Sequence, residues 1–177
     1  MKLSRIQIEN FRNFAKVDIA VGNNLVILGE NKIGKSNFLF ALRLLLDPSL
    51  PDTTRCLREE DFWDGIADPF SSGEIIRISV DIADFEDNVN QLALLAEHLV
   101  QAEPMVSRLT YEWRPKSTLS ESPEKSSDYE FVLYGGDRRE NLVNYQVRQR
   151  LAMDIFPAMR DCEGDLLRWT RSPLRPL

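Results

Sequence analysis

The chain has 177 residues, 43% of them hydrophobic and 28% charged, which suits one globular domain with its own core. A formal net charge of -6 excludes a surface given over wholesale to nucleic acid, though not a local basic patch or DNA binding by another part of a larger protein. Two cysteines without metal-ligand spacing and one histidine leave little for a Cys/His metal site.

The first ten residues alternate, and no apolar leader segment or membrane-length run follows, so a cytoplasmic location with no membrane partner is expected. Leu3, Ile6, Ile8 and Phe11 sit among polar residues and predict a strand near 2–9, with a second over 16–20. The turn signal Gly22-Asn23-Asn24 precedes Leu25-Val26-Ile27-Leu28, a continuous apolar run that reads as a strand buried on both faces. A glycine loop follows, and then an amphipathic helix with Phe38, Leu39, Ala41, Leu42, Leu45 and Leu46 on its apolar face. Asp47-Pro48 ends that helix. Residues 48–73 read as irregular, with one short helix near Glu59–Trp63.

Alternation resumes at Ile76, Ile78, Val80 and Ile82, a strand with one solvated face over about 75–84. Residues 88–101 are helical by spacing and carry His98 as a solvated or half-buried residue. Strands are expected over 105–113 and 129–134, separated by the polar loop 115–128 and closed by Gly135-Gly136-Asp137. A helix over 142–151 and a short strand near 153–156 complete the reading, with no internal repeat and no second domain.

The chemistry lies in Gly29-Glu30-Asn31-Lys32-Ile33-Gly34-Lys35-Ser36, a full match to G-x-x-x-x-G-K-[ST] placed between an apolar run and an amphipathic helix. Glycines let the backbone approach phosphate, and the loop N–H groups and the helix amino terminus then face the anion. Lys35 is expected to bridge the outer phosphates and Ser36 to bind the metal, so the expected ligands are ATP and Mg2+. No apolar strand here ends in a convincing magnesium-binding carboxylate. Ser71-Ser72-Gly73-Glu74 faintly echoes the signature loop of ABC-type ATPases, but it precedes an alternating strand.

Ile8-Glu9-Asn10-Phe11-Arg12-Asn13-Phe14, followed by the loop, Asn37 and the apolar helix Phe38–Leu46, resembles the ATPase head of SMC/RecF-like ABC ATPases. Within them it looks most like the OLD (overcoming lysogenization defect) family of ATP-dependent endonucleases, some of which serve in phage defence. Leu57–Gly65, Asp81–Phe85, Met159–Leu166 and Arg171–Leu174 point the same way. The resemblance implies an α/β P-loop NTPase fold with mixed and antiparallel sheet, residues 1–177 forming the amino-terminal lobe of the head. It implies that Arg12 approaches the phosphates, that Asn31 and Asn37 flank the loop, and that Ser36 holds magnesium. The nucleotide-binding set is then Arg12, Gly29, Glu30, Asn31, Lys32, Ile33, Gly34, Lys35, Ser36 and Asn37. The family's Walker B carboxylates, signature loop and Toprim nuclease domain are expected outside this chain, which by itself is expected to neither hydrolyse ATP usefully nor cut DNA. Its parent would act on DNA and work as a homodimer or larger oligomer, because such heads sandwich ATP between them. Two readings stay open beside this one: a RecF/SMC-like repair ATPase without nuclease, and a nucleotide-binding regulatory module.

Overall fold

The computed structural model describes residues 1–151 and 153. Six strands form one sheet: β1 (Lys2–Phe11), β2 (Phe14–Ala20), β3 (Ile76–Ala83), β4 (Leu99–Ala102), β5 (Met105–Pro115) and β6 (Tyr129–Gly135). The order is β2-β1-β3-β5-β4, with β6 also paired to β5, and every pairing is antiparallel. The helices are α1 (Lys35–Leu46), α2 (Asp52–Arg55), α3 (Val89–Leu95) and α4 (Tyr145–Arg150). None of them is long and apolar enough to cross a membrane.

Alternation makes the sheet two-faced. Ile6, Ile8, Ile76, Ile78, Val80, Ile82, Leu109, Tyr111 and Trp113 are all buried on one face. There α1 contributes Phe38, Ala41, Leu42, Leu44, Leu45 and Leu46 to the same core and packs on β3 and β5. Burying such side chains is worth about 1.5–3 kcal/mol each, enough to hold the helix whatever its own propensity. The opposite face carries charge, registered strand by strand as Glu9, Arg77 and Glu112. Glu112 is fully buried, and accepts hydrogen bonds from Arg77 Nε (2.8 Å), the Tyr134 hydroxyl (2.9 Å) and Arg139 (3.1 Å). Burial alone would raise its pKa; the bonds from Arg77 and Tyr134 outweigh it and hold the carboxyl below its ordinary value.

Two buried polar residues tie the ends of the fold together. Arg55, 1% exposed, donates to the carbonyls of Leu44, Asp47 and Leu50, satisfying groups that the end of α1 leaves open. The Arg55 carbonyl in turn accepts from the Tyr111 hydroxyl at 2.6 Å, which anchors this region to β5. Asp47 terminates α1 as expected, holding Ser49 N at 2.9 Å and Arg43 Nε at 3.0 Å.

The sequence readings meet the structure unevenly. The strands near 2–9, 16–20, 75–84, 105–113 and 129–134 are present, and the short helix near Glu59–Trp63 is a 3₁₀ turn over Glu59–Asp61. The helix over 88–101 is shorter: α3 passes into a 3₁₀ turn (Ala96–His98), and Leu99–Ala102 pairs with β5 instead. The helix over 142–151 is α4, and the strand near 153–156 lies outside the described residues apart from Met153. Leu25–Leu28 requires correction. It belongs to no strand, and Val26 and Leu28 are 74% and 86% exposed. A strand buried on both faces needs a hydrogen-bonded neighbour on each edge, and no described strand lies beside this segment. The sheet of the described residues is accordingly antiparallel throughout, without the mixed part expected around that run.

His98 is also more enclosed than expected. It is buried against Gly135, and Asn141 Nδ2 lies 3.0 Å from its Nδ1. Burial lowers its pKa, so the folded state favours the neutral ring. The unfolded chain therefore binds the extra proton first, and stability present above the ordinary histidine value is lost as pH falls below it. The urea midpoint is expected to drop between pH 7 and pH 5.5, roughly the range where an ordinary histidine charges, and His98→Gln should remove that part of the drop. An equal drop in the substituted protein would mean that other groups titrate there.

Candidate nucleotide site

Three segments meet at the amino end of α1: the turn between β1 and β2, the loop Gly29–Gly34, and the 3₁₀ turn Glu59–Asp61. The β1–β2 connection is a two-residue turn, since Phe11 pairs with Phe14. Arg12 in it has φ 50, a left-handed conformation that costs a non-glycine residue about 1–2 kcal/mol. Backbone bonds hold it there: Arg12 N to Asp61 O (2.9 Å), Trp63 N to Asn10 O (3.0 Å) and Asp64 N to Arg12 O (3.3 Å). Phe11 is fully buried and Phe14 meets Phe38 edge-on at 6.4 Å, so both aromatics serve packing.

Gly34 is the residue before α1, at φ 107, where only glycine sits comfortably. A Cβ at this position would fall 2.0 Å from Asn13 Nδ2, so the close approach of the β1–β2 turn also demands glycine. The first helical bond runs from Phe38 N to Gly34 O at 2.9 Å, and no side chain caps the helix. The N–H groups of Lys35, Ser36 and Asn37 therefore precede the helical ladder, at the positive end of the helix dipole. The helix has no acidic residue in its first turn to compete for that end.

A cavity of about 170 Å³ opens there, lined by Asn31, Lys32, Gly34, Lys35, Ser36 and Asn37. Lys35 Nζ is folded over the loop and donates to the carbonyls of Gly29 (2.5 Å) and Glu30 (2.6 Å). Ile33 is 60% exposed, and its carbonyl accepts from Asn13 Nδ2 at 3.1 Å. Arg12 is not among the lining residues. Its NH1 donates to Asn37 Oδ1 and its Nε to Asp61 Oδ1, both at 2.9 Å, and its guanidinium lies 4.7 Å from the Phe40 ring centroid. The loop residues named from the sequence thus come together around one cavity or form its backbone, with Arg12 one contact behind.

Sequence reasoning passed over two residues. Asn13, which follows Arg12 directly, bonds both the loop and Asn37. Asp61, which the sequence places only in a short helix near Glu59–Trp63, is buried and holds Arg12. Asn13 could have been suspected from its place beside Arg12, whereas no spacing connects Asp61 to the loop.

The model of the AAA ATPase domain matches residues 1–144, which takes in the loop, the β1–β2 turn and the whole sheet. The chain belongs to the AAA ATPase domain family. Endonuclease GajA of Bacillus cereus (strain VD045) is 60% identical over 50 residues, covering 28% of this chain and 9% of GajA. The uncharacterized protein YbjD of Escherichia coli (strain K12) is 38% identical over 63 residues, 36% of this chain and 11% of that protein. The matches thus span about a tenth of the length of these curated relatives. A solved chain from work on ATP-driven dimerization and DNA-stimulated activation of SMC ATPases aligns at TM-score 0.49 and 16% identity, over 99% of this chain and 95% of its own. Membership of the AAA ATPase domain family and the GajA match bear out the resemblance drawn from the sequence.

In an AAA ATPase domain with this geometry, Gly34→Ala should be severe for two separate reasons, φ and the Asn13 contact. It is expected to cost about 1–3 kcal/mol of stability and to weaken MgATP binding, read by thermal melting and calorimetry. Wild-type values in both measurements would show that the loop tolerates a Cβ beside Asn13.

Proposed function

We propose that this ATPase domain binds ATP with Mg2+ at residues 29–37 and forms part of an ATP-dependent DNA endonuclease of the OLD kind, acting in phage defence. The observation that carries the nucleotide site is the uncapped amino end of α1 with Gly34, Lys35 and Ser36 around one cavity. The site suits a triphosphate: it offers free N–H donors, a flexible cation and no carboxylate in the first helical turn. ATP would supply the phosphoryl group, and Mg2+ would neutralise its charge. Lys35, which donates to the Gly29 and Glu30 carbonyls, would turn to phosphate oxygens, and the Ser36 hydroxyl would be the magnesium ligand that this chain offers. Arg12 lies one hydrogen bond from the lining residue Asn37, within the same assembly as the phosphate site.

The nuclease part of the proposal rests on the name of GajA and on its 60% identity over the segment matched. Action on DNA, an oligomer of the parent protein and a cytoplasmic location belong to the same proposal. Plasmid cleavage by the full parent protein, with and without ATP, tests it; ATPase activity with no cleavage of any DNA would favour the repair-type ATPase instead. Residues 1–177 alone are expected to show neither useful ATP turnover nor nicking. Turnover that vanished with Lys35→Ala would place a catalytic carboxylate within these residues.

Lys35→Ala should abolish MgATP binding in calorimetry with the melting temperature unchanged, because the side chain reaches only loop carbonyls and makes no core contact. Undiminished affinity would remove the nucleotide site from this loop. Ser36→Ala should chiefly reduce the magnesium dependence of binding. Arg12→Ala should cost about 1–3 kcal/mol of ATP affinity, the range for a charge-assisted hydrogen bond.

A further inference from the structure

The side chains around the loop form a chain of hydrogen bonds with a fixed direction. Asp61 Oδ1 accepts from Arg12 Nε at 2.9 Å, and Arg12 NH2 lies at the same distance. Arg12 NH1 donates to Asn37 Oδ1 (2.9 Å), Asn37 Nδ2 donates to Asn13 Oδ1 (2.8 Å), and Asn13 Nδ2 donates to Ile33 O (3.1 Å). A guanidinium can only donate and a carbonyl can only accept. The two ends therefore dictate the orientation of both amides between them: flipping either would set donor against donor or acceptor against acceptor.

The last bond falls on the peptide between Ile33 and Gly34. In a planar trans peptide the C=O and the following N–H point in opposite directions. Turning the Ile33 carbonyl toward Asn13 thus turns the Gly34 N–H away from it, free for an anion. Gly34 leaves just enough room for Asn13 to do this, since any Cβ there would collide with its amide. At the other end, Asp61 is buried, and its second oxygen accepts from Arg58 N at 3.0 Å. Arg12 is clamped between this carboxylate and the Phe11 and Phe40 rings, at 5.2 and 4.7 Å.

We propose that Asp61 and Asn13 are positioning residues for the phosphate loop, the two ends of a hydrogen-bond relay through Arg12 and Asn37 that sets the Ile33–Gly34 peptide. Asp61 touches no loop residue and acts only through Arg12. The relay rests on the reading of residues 29–37 as a nucleotide site for its purpose, but its existence can be measured apart from nucleotide.

The experiment compares Asp61→Ala, Asp61→Asn, Asn13→Ala and the Asp61→Ala/Asn13→Ala pair on the full chain. Amide hydrogen exchange at residues 33–37 without nucleotide is one readout, and MgATP affinity by calorimetry is the other. Asp61→Ala is expected to speed exchange at 33–37 about tenfold and to weaken MgATP by a similar factor, the loss of one charge-assisted bond. Asp61→Asn should restore most of both, because its oxygen still accepts from Arg12. Asparagine has a single acceptor to share between Arg12 and Arg58 N, so exchange at residues 58–61 is followed beside 33–37: a residue that served only to cap the 3₁₀ turn would change exchange at 58–61 and leave 33–37 unmoved. Asn13→Ala should reproduce the loop effect, and the pair should add little to either single change, as members of one network do. Unchanged exchange at 33–37 in Asp61→Ala, no rescue by asparagine, or additive effects in the pair would each overturn the relay. Exchange that responds as expected in a protein that fails to bind MgATP would retain the relay and remove the nucleotide reading.

Discussion

Everything at the candidate site depends on how α1 is held. Its apolar face is sunk into the sheet core through Phe38, Ala41, Leu42 and Leu45, and its carboxyl end is closed by the buried Arg55. With one face and one end committed, the amino end is fixed in space without needing a cap of its own. An uncapped helix terminus would normally be a small deficit, because its first N–H groups have no partner. Here those N–H groups lie where the glycine loop delivers a lysine and a serine, an arrangement that suits an anion.

The sheet contributes in two different ways. Its apolar face supplies the platform on which α1 rests. Its polar face is neutralised row by row, with Glu112 between Arg77 and Arg139 and Asp81 holding Arg108 Nε at 2.6 Å. At the candidate site the charge is local: one lysine folded over carbonyls and one arginine clamped by an aspartate.

That arginine shows how strain and packing combine. Arg12 sits in a left-handed turn, and the cost is offset by backbone bonds to Asp61 and Asp64 and by its seat on Phe40. The same contacts carry the turn close enough to the loop for Asn13 to reach Ile33. A segment of low sequence regularity, residues 57–64, thereby becomes part of the site's support.

The sequence by itself determined the elements whose signal is local. Alternation marked β1, β3, β5 and β6, spacing marked α1, and the glycine-lysine-serine pattern marked the candidate loop, because each depends on the period of the backbone or on a contiguous motif. Only the tertiary structure decided the rest. Whether Leu25–Leu28 becomes a strand depends on neighbours, which no local run encodes, and among the described residues none lies beside it. His98 and Glu112 are buried by segments distant in the chain, so their polarity alone misplaced the one and concealed the other. Asp61 reaches Arg12 across a separation of 49 positions in the sequence. Its role arises from a backbone pairing between two loops, and such long-range contacts are set by packing of the whole core rather than by any pattern in the residues around it.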